Sequence, residues 1–270
     1  MLRDALGAIE IFQGEPKLTD FMKYTYLLID ILSFLVPFLF SFHPKLKFYR
    51  HWNTLFPAIL ITGVLFVPFD IYFTKLKVWG FNPAYVSGYY FSNLPVEELL
   101  FFLCIPYSCL FTYHCLSPLF DKTIPARIVN SCTAAMIGCA LLMVVMFHHD
   151  GYTVFTFALT AILLFAAQFV MKVKWLTKFY YTYGILLLPF LIVNGLLTGT
   201  GLAAPIVWYS NTENMNFRIL TIPVEDVFYG MALILLNLLI FKTLNQKIYK
   251  QRRTMRAVLK YTKTLNHISE

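Results

Sequence analysis

Two short acidic segments carry the chemistry in this 270-residue chain. The first is Leu94-Pro95-Val96-Glu97-Glu98, with Phe101 four residues after Glu97. The second is Ile222-Pro223-Val224-Glu225-Asp226, with Tyr229 four residues after Glu225. Proline followed at once by acids is what a helix start prefers on local grounds. The missing N–H costs nothing in the first turn, and the carboxylates face the positive end of the dipole. Capping alone, however, needs neither paired acids nor an aromatic one turn later, and here the whole pattern occurs twice. An acid and a ring one turn apart share a helix face. A carboxylic acid there supplies a proton, and ring faces stabilise the cation that results. That combination, without a nucleophile or a metal centre, suits proton-initiated chemistry on an alkene.

Two effects compete over the protonation of these acids. Burial and a like-charged neighbour favour the protonated form, whereas the helix N-terminus favours the carboxylate. If the first pair dominates, one carboxyl per segment stays protonated near neutral pH and acts as a Brønsted acid. Adjacent helical positions point about 100° apart, so only one acid of each pair faces a given site directly. The sequence leaves open which of Glu97 and Glu98, and which of Glu225 and Asp226, that is.

The elements that position the acids form an internal repeat. Asp70-x3-Thr74, Trp79-Gly80-Phe81-Asn82 and the first acidic segment recur, in the same order, as Asn194-x3-Thr198, Trp208-Tyr209-Ser210-Asn211 and the second. Supporting positions are therefore Asp70 and Asn194, Trp79 and Trp208, Phe101 and Tyr229, and Pro95 and Pro223. Asp70 and Asn194 either hold the acids by hydrogen bonds or cap their helices.

The chain is 59% apolar, 18% aromatic and 13% charged, with a mean hydropathy of +0.65. An ordinary soluble domain is nearer ~45–50% apolar and ~25% charged, which excludes that class and disorder alike. The apolar residues gather in stretches of about 20, the length a helix needs to cross hydrocarbon. Seven such spans are expected, at roughly 24–42, 52–72, 95–116, 127–147, 152–170, 177–197 and 223–241. The predicted fold is an all-α polytopic membrane protein with two parallel three-helix repeats joined by a connecting span. Its parts are a polar N-terminal extension (1–21), a first repeat (22–116), the connecting span (117–150), a second repeat (151–245) and a basic tail (246–270). Residues 1–21 hold no apolar core and do not read as a signal peptide, and Met22 is a sensible alternative start. The extra crossing points both repeats the same way, so both acidic segments begin their spans on one side. Parallel repeats commonly share a site at their interface.

Links 43–51, 117–127 and 171–178 and the tail hold 3, 2, 3 and 8 Lys/Arg, against 3, 2, 0 and 1 in residues 1–23, 73–94, 148–151 and 198–222. This bias predicts a multi-pass cell-membrane protein with a cytoplasmic C-terminus and an outer N-terminus. The net charge of +8 resides largely in the tail. It reads as attraction to anionic lipid headgroups rather than to nucleic acid, with Leu244, Ile248, Met255 and Leu259 along one stripe of an interfacial helix. Cys104, Cys109, Cys115, Cys132 and Cys139 lie in apolar stretches and read as buried thiols. No metal is expected. His148-His149-Asp150 reads as a solvated turn, since three consecutive residues rarely converge on one ion. Gly199-Thr200-Gly201-Leu202-Ala203-Ala204 matches a dinucleotide fingerprint formally, but it follows a span rather than a strand, and Pro205 interrupts the helix it would open. Arg218 either holds Glu225 or Asp226 ionised or anchors the interface.

These residues resemble the small integral-membrane lycopene cyclases, a family found as two short subunits or as one fused chain. Trp79 to Pro83 followed by Leu94 to Phe102 looks like the family's first subunit. Asn194 to Gly199 followed by Arg218 to Asp226 looks like its second. The likeness covers residues 22–245; it departs at Phe69, where the family often has Trp, and residues 1–21 lie outside it. The resemblance implies an isomerase of carotenoid biosynthesis that closes the acyclic ψ-ends of lycopene into β-ionone rings, consuming no redox partner and no cofactor. It implies Glu97, Glu98, Glu225 and Asp226 as the proton donors and acceptors. The expected partners are lycopene and related carotenoids dissolved in the bilayer, together with membrane lipids, and a homo-oligomer is compatible with the sequence. Two rivals remain. A membrane prenyltransferase needs an Asp-rich magnesium site, and no pair of aspartates stands at that spacing here. A proton-coupled transporter also places acids at a repeat interface, but it needs broken spans and a wet cavity rather than a dry, aromatic one.

Overall fold

The computed structural model describes residues 22–120 and 124–268. The polar extension 1–21 lies outside the described residues. Among the described residues, seven α-helices appear in chain order: α1 (Thr25–Phe40), α2 (Trp52–Lys75), α3 (Val96–Leu116), α4 (Ala126–Met146), α5 (Gly151–Phe165), α6 (Leu176–Leu197) and α7 (Val224–Ile268). A 3-10 turn (Phe48–His51) leads into α2, and a π-turn (Ala166–Val170) extends α5. Six of these segments are long and apolar enough to cross a membrane, whereas α1 is a shorter apolar helix of 16 residues. Large apolar side chains such as Leu60, Val64, Val145 and Leu188 point outward. In water such a surface is costly; in lipid it is the solvent-facing one. The basic tail continues the last span as one helix rather than starting a separate one, since α7 runs unbroken from Val224 to Ile268.

Prolines inside α1, α2, α3 and α6 remove backbone donors, and at Pro37 a neighbouring helix makes up the loss. Pro37 cannot donate to the Ser33 carbonyl, one turn back. That oxygen instead accepts the Ser108 hydroxyl of α3 at 2.8 Å, which ties α1 to α3.

The repeat is visible in the packing. Helix α1 lies on α3 as α5 lies on α7, while α2 packs on α7 and α6 on α3, so each repeat embraces the other's third helix. Helix α4 is the connector and packs against α5. The thiols of Cys104 and Cys109 are buried in this bundle, but Cys132 and Cys139 lie exposed on α4, which has few neighbours.

Among the described residues, the departure from an all-α chain is confined to the two long links. Each contains three short strands: β1 (Trp79–Phe81), β2 (Tyr90–Phe91) and β3 (Leu94–Pro95) in the first, and β4 (Val207–Tyr209), β5 (Arg218–Ile219) and β6 (Ile222–Pro223) in the second. Strands β2 and β3 form a tight hairpin that feeds directly into α3, and β5 and β6 do the same for α7. Ser92 and Leu220 take left-handed backbone at matching places in the two turns. Strand β1 pairs antiparallel with β4, so the two links are sewn to each other over one end of the bundle. Both acidic segments therefore start at the same end. Sequence periodicity missed these strands because two- and three-residue ladders are too short to show an alternating pattern.

Candidate active site

The first acid of each pair serves its own link. The Glu97 side chain accepts the Ser87 N–H at 2.7 Å through Oε1, and Glu225 accepts the Met215 N–H at 2.7 Å in the same way. The residues that follow these donors, Gly88 and Asn216, both have positive φ. A sharp left-handed bend exposes the preceding N–H, and the glutamate satisfies it. Thr153 of α5 adds a second donor to Glu225 at 2.7 Å. Both glutamates are fully buried, and each leaves Oε2 without a partner.

The second acid of each pair, turned about 100° around the helix, faces the shared interface. Glu98 and Asp226 line one cavity of about 280 Å³ together with Asp70, Asn194 and Trp79. Phe101, Tyr152, Tyr209 and Tyr229 add aromatic walls. From there the cavity follows the seam between α1, α3, α6 and α7 as far as Pro37 and Thr112. A cluster containing Trp79, Ile206 and Val207 closes the end under the β1–β4 ladder.

The two acids are held differently. Glu98 accepts the Tyr26 hydroxyl at 2.6 Å, and Asp70, a second buried carboxyl from the first repeat, lines the same cavity with its Oδ2 unpartnered. Two carboxyl groups buried in one cavity repel each other if both are ionised. Asp226 is instead surrounded by neutral donors: Tyr152 at 2.5 Å, Asn194 at 2.8 Å and Tyr209 at 3.0 Å. Three such bonds favour a carboxylate. Burial and the adjacent Asp226 raise the Tyr209 hydroxyl, on β4, well above its usual range, so it remains a donor. The asymmetry follows from Asp70 having Asn194 as its counterpart.

The structure thus brings together Glu98, Asp226, Asp70, Asn194, Trp79, Phe101 and Tyr229 from the sequence expectations. Glu97 and Glu225 stand behind the wall. Pro95 and Pro223 are buried at the helix starts, where they end the hairpins. Trp208 lies outside the cavity, 39% exposed, with its indole over Gly80. The ladder register explains this. Trp79 pairs with Tyr209, Gly80 with Trp208 and Phe81 with Val207, and the bonds from the Asn82 N–H to Ile206 and from the Ser210 N–H to Val78 make Val207, not Trp208, the repeat counterpart of Trp79. Arg218 donates to the Thr221 carbonyl and to Asn211, bracing the second link rather than either acid.

Sequence reasoning missed Tyr26 and Tyr152, which occupy matching places at the starts of α1 and α5. Extending the repeat comparison to those spans would have found them. It also missed Asp30, fully buried on α1 one turn beyond Tyr26 with both oxygens unpartnered. An acid alone in an apolar stretch is itself a signal.

A family profile described as lycopene cyclase matches residues 23–116 and 149–244. The two matched stretches coincide with the two three-helix repeats and leave α4 between them. No curated protein and no solved structure matches the chain.

Proposed function

The chain belongs to the lycopene cyclase family, and from that premise we propose that it closes the ψ-ends of lycopene into β-rings by a non-redox isomerisation in which Glu98 donates the proton and Asp226 removes one. The observation that carries this reading is the one aromatic cavity into which each repeat places the second acid of its pair. Glu98, buried in the same cavity as Asp70, protonates the terminal double bond of the substrate and leaves a tertiary cation. The neighbouring alkene attacks that cation and closes the six-membered ring. Asp226, held ready by three donors, takes a ring proton and leaves the β double bond. One C–H bond forms and one breaks, so no oxidant or reductant is consumed. The faces of Trp79, Phe101, Tyr152 and Tyr229 stabilise the transient cation, and the closed end under the ladder keeps water from trapping it.

Helices α1 and α6 touch at few points, and the seam between them admits a carotenoid from the bilayer. Related carotenoids with an acyclic end are substrates on the same grounds. The Lys/Arg imbalance among the links supports a cytoplasmic C-terminus, which puts the acids at the outer end of the bundle. Expression in cells that accumulate lycopene, followed by pigment analysis, tests the reading. Cyclised carotenoid is the expected product. Unchanged lycopene, with the protein confirmed in the membrane, overturns the proposal.

A further inference from the structure

We infer that the two hairpins are seated in the membrane, with their tips among the glycerol groups and upper acyl chains of the lipid rather than in water. Both hairpin turns expose large apolar side chains: Tyr89, Tyr90 and Phe91 in the first repeat, Phe217, Ile219 and Leu220 in the second. Clusters of that kind mark a surface that meets a protein or a membrane. Two observations select the membrane.

The first is depth. Asn93, beside the first tip, donates through Nδ2 to the Ile71 carbonyl at 2.9 Å. Thr221, at the matching place in the second, has its hydroxyl 3.4 Å from the Gly195 carbonyl and 2.7 Å from the Thr198 hydroxyl. Ile71 lies four residues inside the end of α2, and Gly195 two residues inside the end of α6. At 1.5 Å per residue, the tips are pinned about 6 Å and about 3 Å below the ends of these helices. Both helices are long and apolar enough to cross a membrane. The next residues along them, Tyr72 and Leu196, are exposed, so the lipid-facing surface reaches the level of the tips. The β2–β3 and β5–β6 pairings satisfy backbone groups internally, as a segment at that depth requires. Tyrosine rings suit the same level, since they settle at the membrane interface.

The second observation is the backbone at Leu220. Its φ of +60° is left-handed, where glycine or asparagine costs less. Protein contacts offset little of that strain, because the side chain is 73% exposed. Acyl chains supply the favourable contact that water does not. Asp70 and Asn194 immediately precede the two pinned carbonyls, so the acidic end of the cavity also lies within the leaflet.

The test places a reporter ring at each tip. Full-length wild type, Phe91→Trp and Phe217→Trp are reconstituted in phosphatidylcholine vesicles with or without bromine on the upper acyl chains. The emission added by each new tryptophan is read against wild type. In brominated vesicles it should fall about twofold or more, as for a ring ~5–10 Å into the boundary between headgroups and chains. Aqueous iodide should leave it nearly unchanged. Absence of lipid quenching in either variant overturns the inference. Quenching by iodide instead marks a tip in water, and quenching by neither marks a tip covered by a second copy or another protein. No turnover is measured, so failure of the cyclase reading leaves this result untouched.

Discussion

At the scale of single residues, the four acids divide by what they touch. Glu97 and Glu225 each satisfy a backbone N–H in a left-handed bend. An amide oxygen can accept the same bond, although more weakly than a carboxylate does. Glu97→Gln and Glu225→Gln should therefore keep most of the cyclase activity, measured as product formed from lycopene. Glu97→Ala strands the Ser87 N–H and should lower stability by about 1–3 kcal/mol. Glu98→Gln and Asp226→Asn remove a group that gains or loses a proton, and each should reduce the rate by about 100-fold or more. Activity retained in both of those variants would mean that the proton comes from elsewhere.

At the scale of elements, the β1–β4 ladder and the start of α7 govern whether the site forms. A methyl group on Gly80 would lie 2.4 Å from the Trp208 ring, closer than any real contact. Gly80→Ala should lower the thermal midpoint, a penalty of about 1–3 kcal/mol for overpacking. Adding Trp208→Ala should recover most of that loss, because it removes the clashing ring; a purely additive double mutant would show that the indole is not the obstacle. Gly230 is different. Its added Cβ would meet Phe190 and the Tyr183 hydroxyl at 3.6 Å, an ordinary contact. Gly230→Ala should fold at least as well as wild type, since alanine is the better helix former by about 1 kcal/mol. Gly230→Leu reaches into the cavity that Gly230 lines and should raise KM while the protein still melts cooperatively. Unaltered KM in that variant would show that substrate takes another route.

At the scale of the whole molecule, the second acid of each pair converges on one cavity, so each encounter has one donor and one base. Along α3 the cavity extends from Glu98 to Thr112, about 21 Å at 1.5 Å per residue. An extended lycopene molecule is longer, so a single end reaches the acids while the other stays along the seam. A one-ring carotenoid should therefore appear first in a time course and decline as the two-ring product forms. Simultaneous appearance of the two-ring product, with no one-ring species at any time, would argue for a second site. The apolar stretches, the repeated acidic segments and the parallel arrangement of the repeats were legible in the sequence, because each rests on local composition or on order along the chain. Which acid of each pair faces substrate was not. That depends on the rotational phase of α3 and α7, set by hairpins too short to leave a periodic trace. The partners of those acids were hidden too: Tyr26 reaches Glu98 across 72 positions, and Tyr152 reaches Asp226 across 74. Local pattern determines where a helix begins and what it is made of. Only the packing of distant spans decides which side chains it turns toward one another, because that choice is made by contacts between segments the chain order keeps apart.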